Sequence, residues 1–366
     1  MLGELMKHKK SIAIAGSHGK TTTTSLIGDI LYKSKLDPTI INGGIINSLS
    51  KNNRNGQGDW MVVEADESDG SFLKLPHQIS IITNLDIEHL DFYKSEENLF
   101  KSFELFINKL PFYGTSIVCI DDQNLKLLVS KIKTRNIITY SIKNKKADVY
   151  IYDIKKNKKN TSFKLKVNNN KISHSNKYKF TINTIGTHNI LNGTASIIAS
   201  KLVGVKNEDI NKALTNYIGV KRRFTFLGKK NKSNIYDDYA HHPTEIKSVI
   251  SGIKKISNTR KLIVVFQPHR YSRIRNLKLE FANCFRGVSS VLLCPVYAAG
   301  EKKDLNYNQD KFAKLISKFS GVQVITIQNE IDLTKFFKKN LIKNEIVIGM
   351  GAGTISKWMN NLKYTI

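Results

Sequence analysis

The short apolar run Ile12-Ala13-Ile14-Ala15 ends directly in Gly16-Ser17-His18-Gly19-Lys20-Thr21-Thr22-Thr23-Thr24, and a helix-compatible segment continues through Leu31. A strand that delivers the chain to a glycine turn at the start of a helix aims backbone N–H groups and the positive end of the helix dipole at one point, which builds an anion site. Gly16, Ser17, His18 and Gly19 therefore form a candidate phosphate-binding loop. Lys20 is the natural partner of the outer phosphates of ATP, and the hydroxyl of Thr21 or Thr22 can reach Mg²⁺. The loop is a shortened variant of the general pattern, with Ile14 where a first glycine is wanted. A plain strand-turn-helix corner accounts for the glycines but not for four consecutive threonines, which are poor helix formers.

A length of 366 residues suggests two or three domains at about 150 residues each. The chain carries 58 Lys+Arg against 30 Asp+Glu, a formal net charge of +28, which raises the alternative of a basic nucleic-acid-binding NTPase. The lysines, however, are scattered among asparagines and isoleucines, as in Lys143 to Lys146 and Lys155 to Asn160, without the aromatic interleaving of a single-strand platform. A compositional bias toward Lys, Asn and Ile explains them, and no nucleic-acid partner is expected. Cys119, Cys284 and Cys294 form no metal-spaced or paired motif and read as buried thiols. No secretion signal and no run of 18 apolar residues is present, so a cytoplasmic protein without membrane insertion is expected.

Short β-branched runs alternate with helix-length amphipathic segments: Met61 to Val63, Ile79 to Ile82, Ile117 to Ile120, Leu262 to Phe266, Val291 to Leu293, Val322 to Ile327 and Ile346 to Ile348. This is an α/β pattern with a mostly parallel sheet. Between Lys143 and Phe180 the sequence becomes polar and alternating, as in Val149 to Tyr152 and Phe163 to Val167, which predicts a small antiparallel appendage. A helix is expected from Asn189 to Leu202 and a hinge around Asn216 to Gly219, giving an ATP-binding domain over residues 1–218 and a Rossmann-like α/β domain over 219–366.

Three further clusters carry chemistry. In Trp60 to Asp69 an apolar strand stops at Glu64, the position from which an acid reaches a nucleotide-bound Mg²⁺. A solvated acidic turn is the plainer reading, but it does not explain why the strand ends on Glu64 itself. The strand Ile79 to Thr83 leads to Asn84-Leu85-Asp86-Ile87-Glu88-His89, where His89 could ligate a second divalent ion or serve structure alone. In the second half, Tyr236-Asp237-Asp238-Tyr239-Ala240-His241-His242-Pro243 is too polar for a core strand. Downstream of it, Arg270 and Arg273 stand three apart at the start of an expected helix. On one helical face they would grip a carboxylate or phosphate together; as surface residues they would make ion pairs.

Nine ordered segments, "AIAGSHGKTTTT", "EADESDGSF", "TNLDIEHLDFY", "LPFYG", "GTHNILNGTASI", "GVKRRF", "DDYAHHPTE", "QPHRYSR" and "VYAAGE", resemble the Mur ligase family over essentially the whole chain. "DDYAHHPTE" with "PHRYSR" points to the members that add L-alanine to UDP-N-acetylmuramate, rather than to a related muropeptide or polyglutamate ligase. The resemblance implies ATP-dependent amide synthesis through an acyl phosphate, in the assembly of peptidoglycan precursors. It implies Thr21 or Thr22, Glu64 and His89 as Mg²⁺ positions, and Asn192, Arg223 and Asp238 as nucleotide contacts beside the loop of Gly16 to Thr22. It implies catalytic roles for Lys20 and His241, and an L-alanine pocket made by His241, Arg270 and Arg273.

Members of the family carry a further N-terminal domain that holds the UDP part of the substrate, whereas about ten residues precede the loop strand here. Met1 to Met6 resemble the end of the linker helix that enters the ATP-binding domain. The expectation is a chain that lacks this domain, with a separately encoded domain as a candidate partner, and that ligates poorly by itself. The glycine-rich stretch Gly349 to Gly353 is read as a structural turn.

Overall fold

The computed structural model describes residues 1–133, 135–157, 160–169, 177–184, 186–257, 260–341 and 344–365. Lys158 and Lys159 of the lysine-rich stretch, and residues 170–176 of the alternating region, lie outside the described residues. The chain forms two compact units, Met1–Val220 and Lys221–Ile366.

The first unit is built on ten strands: β1 (Lys10–Ala15), β2 (Thr39–Ile46), β3 (Lys51–Arg54), β4 (Trp60–Glu64), β5 (Ile79–Ile82), β6 (Thr115–Cys119), β7 (Asn136–Ser141), β8 (Val149–Lys156), β9 (Thr161–Val167) and β10 (Lys177–Ile182). They make one sheet in the order β10-β9-β8-β7-β6-β5-β1-β4-β2-β3. The pairs from β2 through β4, β1, β5, β6 and β7 to β8 are parallel. β9 and β10 pair antiparallel, and so does β3 at the other edge. The expected appendage is thus continuous with the main sheet. The central strand β1 is buried on both faces from Ser11 to Ala15, which is why it reads as an unbroken apolar run rather than as alternation.

After β1 the chain crosses to β2 on one side, while β5 and β6 lie on the other. Such a reversal of strand order leaves a crevice at the C-terminal ends of the strands, where ligands of open α/β sheets bind. The helix Lys20–Lys33 leaves the end of β1 and packs against the helix Thr187–Leu202. Thr23, Thr24 and Ser25 are fully buried, so the threonines that weaken the helix by propensity fit a packing that has no room for longer side chains.

The second unit has six strands: β11 (Thr225–Lys230), β12 (Ser233–Asp238), β13 (Leu262–Phe266), β14 (Ser290–Leu293), β15 (Gln323–Thr326) and β16 (Ile346–Met350), in the order β11-β12-β16-β13-β14-β15. All pairs are parallel except β11 with β12. Strand alternation splits its core in two. Val264, Phe266, Ile348 and Met350 pack with Ile246, Phe281 and Phe285, while Ile263, Val265 and Val347 pack with Ile355, Met359 and Leu362.

One expectation is corrected here. Asp237 and Asp238 end a genuine sheet strand, β12, in parallel register with Gly349 and Met350. The strand accommodates two acids through partners elsewhere in the unit: Ser356 donates to Asp237 Oδ2 at 2.6 Å, and Asp238 accepts the amides of Phe224 and Ala240 at 2.7 and 2.8 Å. The three cysteines are buried free thiols. Among the described residues no helix is long and apolar enough to cross a membrane.

In the first unit Phe103 is fully buried, its ring 5.4 Å from that of Phe72. Phe103→Ala should destabilise the unit by about 3–5 kcal/mol, read as a lower denaturant midpoint by circular dichroism.

Candidate active site

The loop after β1 is fastened to both neighbouring strands. The amide of Ala65, just past β4, bonds Ile14 O at 2.8 Å, and the amide of Thr83, just past β5, bonds Ala15 O at 3.2 Å. Gly16 (φ 120°) and Gly19 (φ 87°) adopt the backbone that only glycine takes without strain. Both are also pressed by neighbours: a Cβ on Gly16 would sit 2.3 Å from Thr83 Oγ1, and one on Gly19 2.6 Å from Asn192 Oδ1. Asn84 holds the loop at two points, its Oδ1 accepting from His18 N at 2.8 Å and its Nδ2 donating to His18 O at 2.8 Å. The His18 ring meets Asp86 at 2.9 Å and Glu88 at 3.6 Å. Asn192, on the second helix, is buried against Gly19.

Lys20 folds back over the loop. Its ammonium donates to Gly16 O at 2.6 Å and to both carboxylate oxygens of Glu67 at 2.9 and 2.8 Å. Burial opposes the charge on Lys20, but the adjoining Glu67 carboxylate outweighs it and raises the lysine above its ordinary value. Burial likewise raises Glu67, which Lys20 counteracts.

Glu64, at the end of β4, accepts from Thr21 Oγ1 at 2.9 Å and from Gly43 N at 2.6 Å. Thr21 rather than Thr22 therefore joins Glu64, and a hydroxyl beside a carboxylate is a donor pair suited to a hard cation such as Mg²⁺. His89 sits at a left-handed turn (φ 58°) with Nε2 3.7 Å from Glu88 Oε2.

The second unit gathers its polar residues at the C-terminal ends of β12, β13 and β16. His241 Nδ1 lies 3.0 Å from Tyr239 O, and because a carbonyl can only accept, the proton of the neutral ring is on Nδ1 and the lone pair on Nε2. Glu245 Oε2 accepts from His241 N at 3.0 Å. Arg223 lies 3.6 Å from Glu245 and stacks 5.3 Å over Tyr239, while Arg222 donates to Gly351 O at 2.6 Å and so ties down the glycine-rich turn. Burial pushes Asp238 up to about 6, with Arg223 and the two amides opposing.

The arginine geometry differs from the expectation. Arg270 is not on the helix at all: it caps Tyr271–Asn276 with φ 69°, its amide bonded to Tyr297 O at 2.9 Å. The preceding β13 end and the Tyr297 loop fix this turn, and both arginines act on His269 without sharing a helical face. Among the described residues Arg270 Nε is buried with no hydrogen-bond partner, a donor left for an acceptor outside the chain. Arg273 Nη1 donates to His269 Nδ1 at 3.1 Å. Burial, then His241 when its ring is protonated, Arg273 and Arg270 push His269 down to about 3, and with Nδ1 accepting from Arg273 the neutral ring carries its proton on Nε2.

Several participants escaped sequence reasoning. Glu67, three residues past Glu64 in the same acidic turn, is 1% exposed, a burial that no local sequence signal marks. Thr83 and Asn84 carry no sequence signal of their own beside His89, and neither does His269 beside the two arginines that follow it.

Residues 14–200 match the Mur ligase middle domain, and residues 222–353 match the Mur ligase glutamate ligase domain. The chain belongs to the Mur ligase family. A relative in Pelagibacter ubique, named UDP-N-acetylmuramate–L-alanine ligase, is 45% identical over 99% of this Mur ligase and 78% of its own length. The crystal structure of a UDP-N-acetylmuramate–alanine ligase from Thermotoga maritima superposes with a TM-score of 0.81 at 24% identity, covering 99% of this chain and 76% of that one. A MurF ligase from the same organism, solved in complex with ADP, gives 0.74 at 16% identity, over 100% of this chain and 84% of that one. This Mur ligase therefore spans about three quarters of the length of its named relatives.

The depressed His269 gives a pH signature. Between about 3 and its ordinary 6.5 the unfolded chain binds more protons than the folded one, so the stability carried by the neutral ring is present above 6.5 and lost as pH falls toward 3. On acidification through this window the denaturation midpoint should fall more steeply for the wild type than for His269→Gln.

Proposed function

We propose that this Mur ligase joins L-alanine to the lactyl carboxylate of UDP-N-acetylmuramate at the expense of ATP, as a cytoplasmic step in peptidoglycan precursor synthesis. The observation that carries the reading is the 45% identity, along 99% of the chain, to a relative named for that ligation. A carboxylate oxygen attacks the γ-phosphorus, the bond to the ADP oxygen breaks, and an acyl phosphate forms. The amine of L-alanine then attacks the acyl carbon, loses a proton, and inorganic phosphate leaves.

The nucleotide end is assigned to Met1–Val220. The amides of Gly16 to Thr22 and the ammonium of Lys20 stabilise charge on the migrating phosphoryl group. Thr21 and Glu64 would hold one Mg²⁺ and His89 a second, which together supply charge neutralisation between the anionic reactants. Asn192, buried against Gly19, is assigned to the nucleotide beside the loop.

The amino-acid end is assigned to Lys221–Ile366. Arg270, whose buried Nε lacks an acceptor, takes the alanine carboxylate together with Arg273, whose other bond is to His269. His241 offers the lone pair of Nε2 to the proton released from the amine. The UDP-sugar handle is assigned to a family domain outside these residues, supplied in cis or as a separate protein, since remote binding energy is what orients a small carboxylate for attack.

ADP release that requires both L-alanine and UDP-N-acetylmuramate, assayed with the UDP-binding domain of a relative supplied, tests the reading. Release that ignores L-alanine would defeat it. In that assay Lys20→Ala should lower turnover by roughly 10²- to 10³-fold while far-ultraviolet circular dichroism stays unchanged. Arg270→Ala should instead raise the KM for L-alanine at an unchanged ATP requirement, whereas a raised KM for ATP would move Arg270 to the nucleotide end.

A further inference from the structure

Lys20 and Glu67 form an ion pair with almost no solvent: Glu67 is 1% exposed, and both of its carboxylate oxygens face the one ammonium. The turn that carries Glu67 is pinned from behind, because Tyr93 OH donates to Glu67 O and Gly70 N bonds the same carbonyl at 3.2 Å. The backbone of Glu67 is therefore held in place, and only the side-chain torsions remain free to move if the lysine leaves. The other charged or titratable groups acting at this point are Asp66 on the same turn, Glu64 through Lys20, and the Tyr93 phenol. Asp66 and Glu64 are further anions, so among the described residues Lys20 is the only cation bonded to Glu67.

We propose that Glu67 is the positioning residue of the phosphate-binding lysine, holding its ammonium against the loop, and that Glu67 takes up a proton when Mg-ATP draws that ammonium onto its phosphates. A buried carboxylate that loses its only counter-ion is unstable as an anion, and its cheapest relief is protonation. Burial already lifts Glu67 above the usual carboxylate range while Lys20 is present, and departure of the lysine removes the opposing influence. Balance is simple: one proton moves from solvent to a Glu67 oxygen as the ammonium transfers from carboxylate to phosphate, and no bond to carbon or phosphorus changes. The inference rests on the loop being the ATP site.

Calorimetric titration of the full chain with Mg-ATP near pH 8, in two buffers of different ionisation enthalpy, tests it, because the phosphates of Mg-ATP themselves carry no proton there. The wild type should give heats that report proton uptake, and its affinity should weaken by up to about tenfold per pH unit above neutrality. Glu67→Gln, which keeps the shape and an acceptor for Lys20, should bind with buffer-independent heat and an affinity flat in pH. Lys20→Met, in which Glu67 has no counter-ion to lose, should bind more weakly and also without uptake. Buffer-independent heat in the wild type, or equal uptake in the wild type and Glu67→Gln, overturns the inference while leaving the loop as the ATP site. Failure of the wild type to bind Mg-ATP at all overturns both.

Discussion

The first unit depends on the seating of β1 between β4 and β5. Ile14 stands opposite Glu64 and Ala15 opposite Ile82, and the next residues on both flanking strands return their amides to carbonyls of β1. Three loops therefore leave the sheet at one level and side by side. That is what brings Thr21 to Glu64, Asn84 to His18 and Glu67 to Lys20 from segments more than forty residues apart in sequence. The close approach at Gly16 follows from the same seating, since the Thr83 hydroxyl donates to Ala15 O and His18 O on either side of it.

In the second unit a comparable arrangement is reached with different means. The strand ends of β12, β13 and β16 are again adjacent, but the chain after them is held by side chains rather than by a glycine loop. Arg222 binds the carbonyl of Gly351, and Gln267 uses its amide oxygen to cap Ile355 N at 3.0 Å and its amide nitrogen to reach Thr354 Oγ1 at 3.0 Å. Glu301, in the "VYAAGE" segment, accepts from Ser272 N at 3.1 Å and so anchors the turn that carries Arg270 and Arg273. These are charged and amide groups held by several bonds each, which fixes their direction at the cost of desolvation.

How much of this can be read in the sequence follows from the range of the interactions. The strand, loop and helix around Lys20 are local: an apolar run, two glycines and a hydroxyl-rich helix start within fifteen residues, so periodicity and turn chemistry suffice. The buried strands β5, β6, β13, β14 and β16 are legible for the same reason. β12 is not, because its acids find hydrogen-bond donors such as Ser356, more than a hundred residues away, and strand propensity has no access to those partners. Glu67 and Glu64 have similar local surroundings in sequence, and only the fold separates the one that meets Lys20 from the one that meets Thr21. Arg270 shows the converse failure, where a plausible helical spacing gives the right neighbourhood for the wrong reason, the residue being the left-handed cap and not part of the helix.

The small side chains along the helix Lys20–Lys33 have one more consequence. Ser25 is hydrogen-bonded by Tyr217 OH at 3.0 Å, Ser196 reaches Thr23 O, and at Gly28 the Ile40 side chain fills the space a Cβ would need. A helix fitted to within less than a methyl group on several sides can neither roll nor slide. Its N-terminal amides are consequently fixed during folding, and the entropy of ordering an anion cradle is lost then rather than when an anion arrives. Such a cradle cannot adapt to its guest: discrimination among phosphate ligands passes to whatever near it can still move, and the long unbranched side chain of Lys20 is the mobile part that the loop retains.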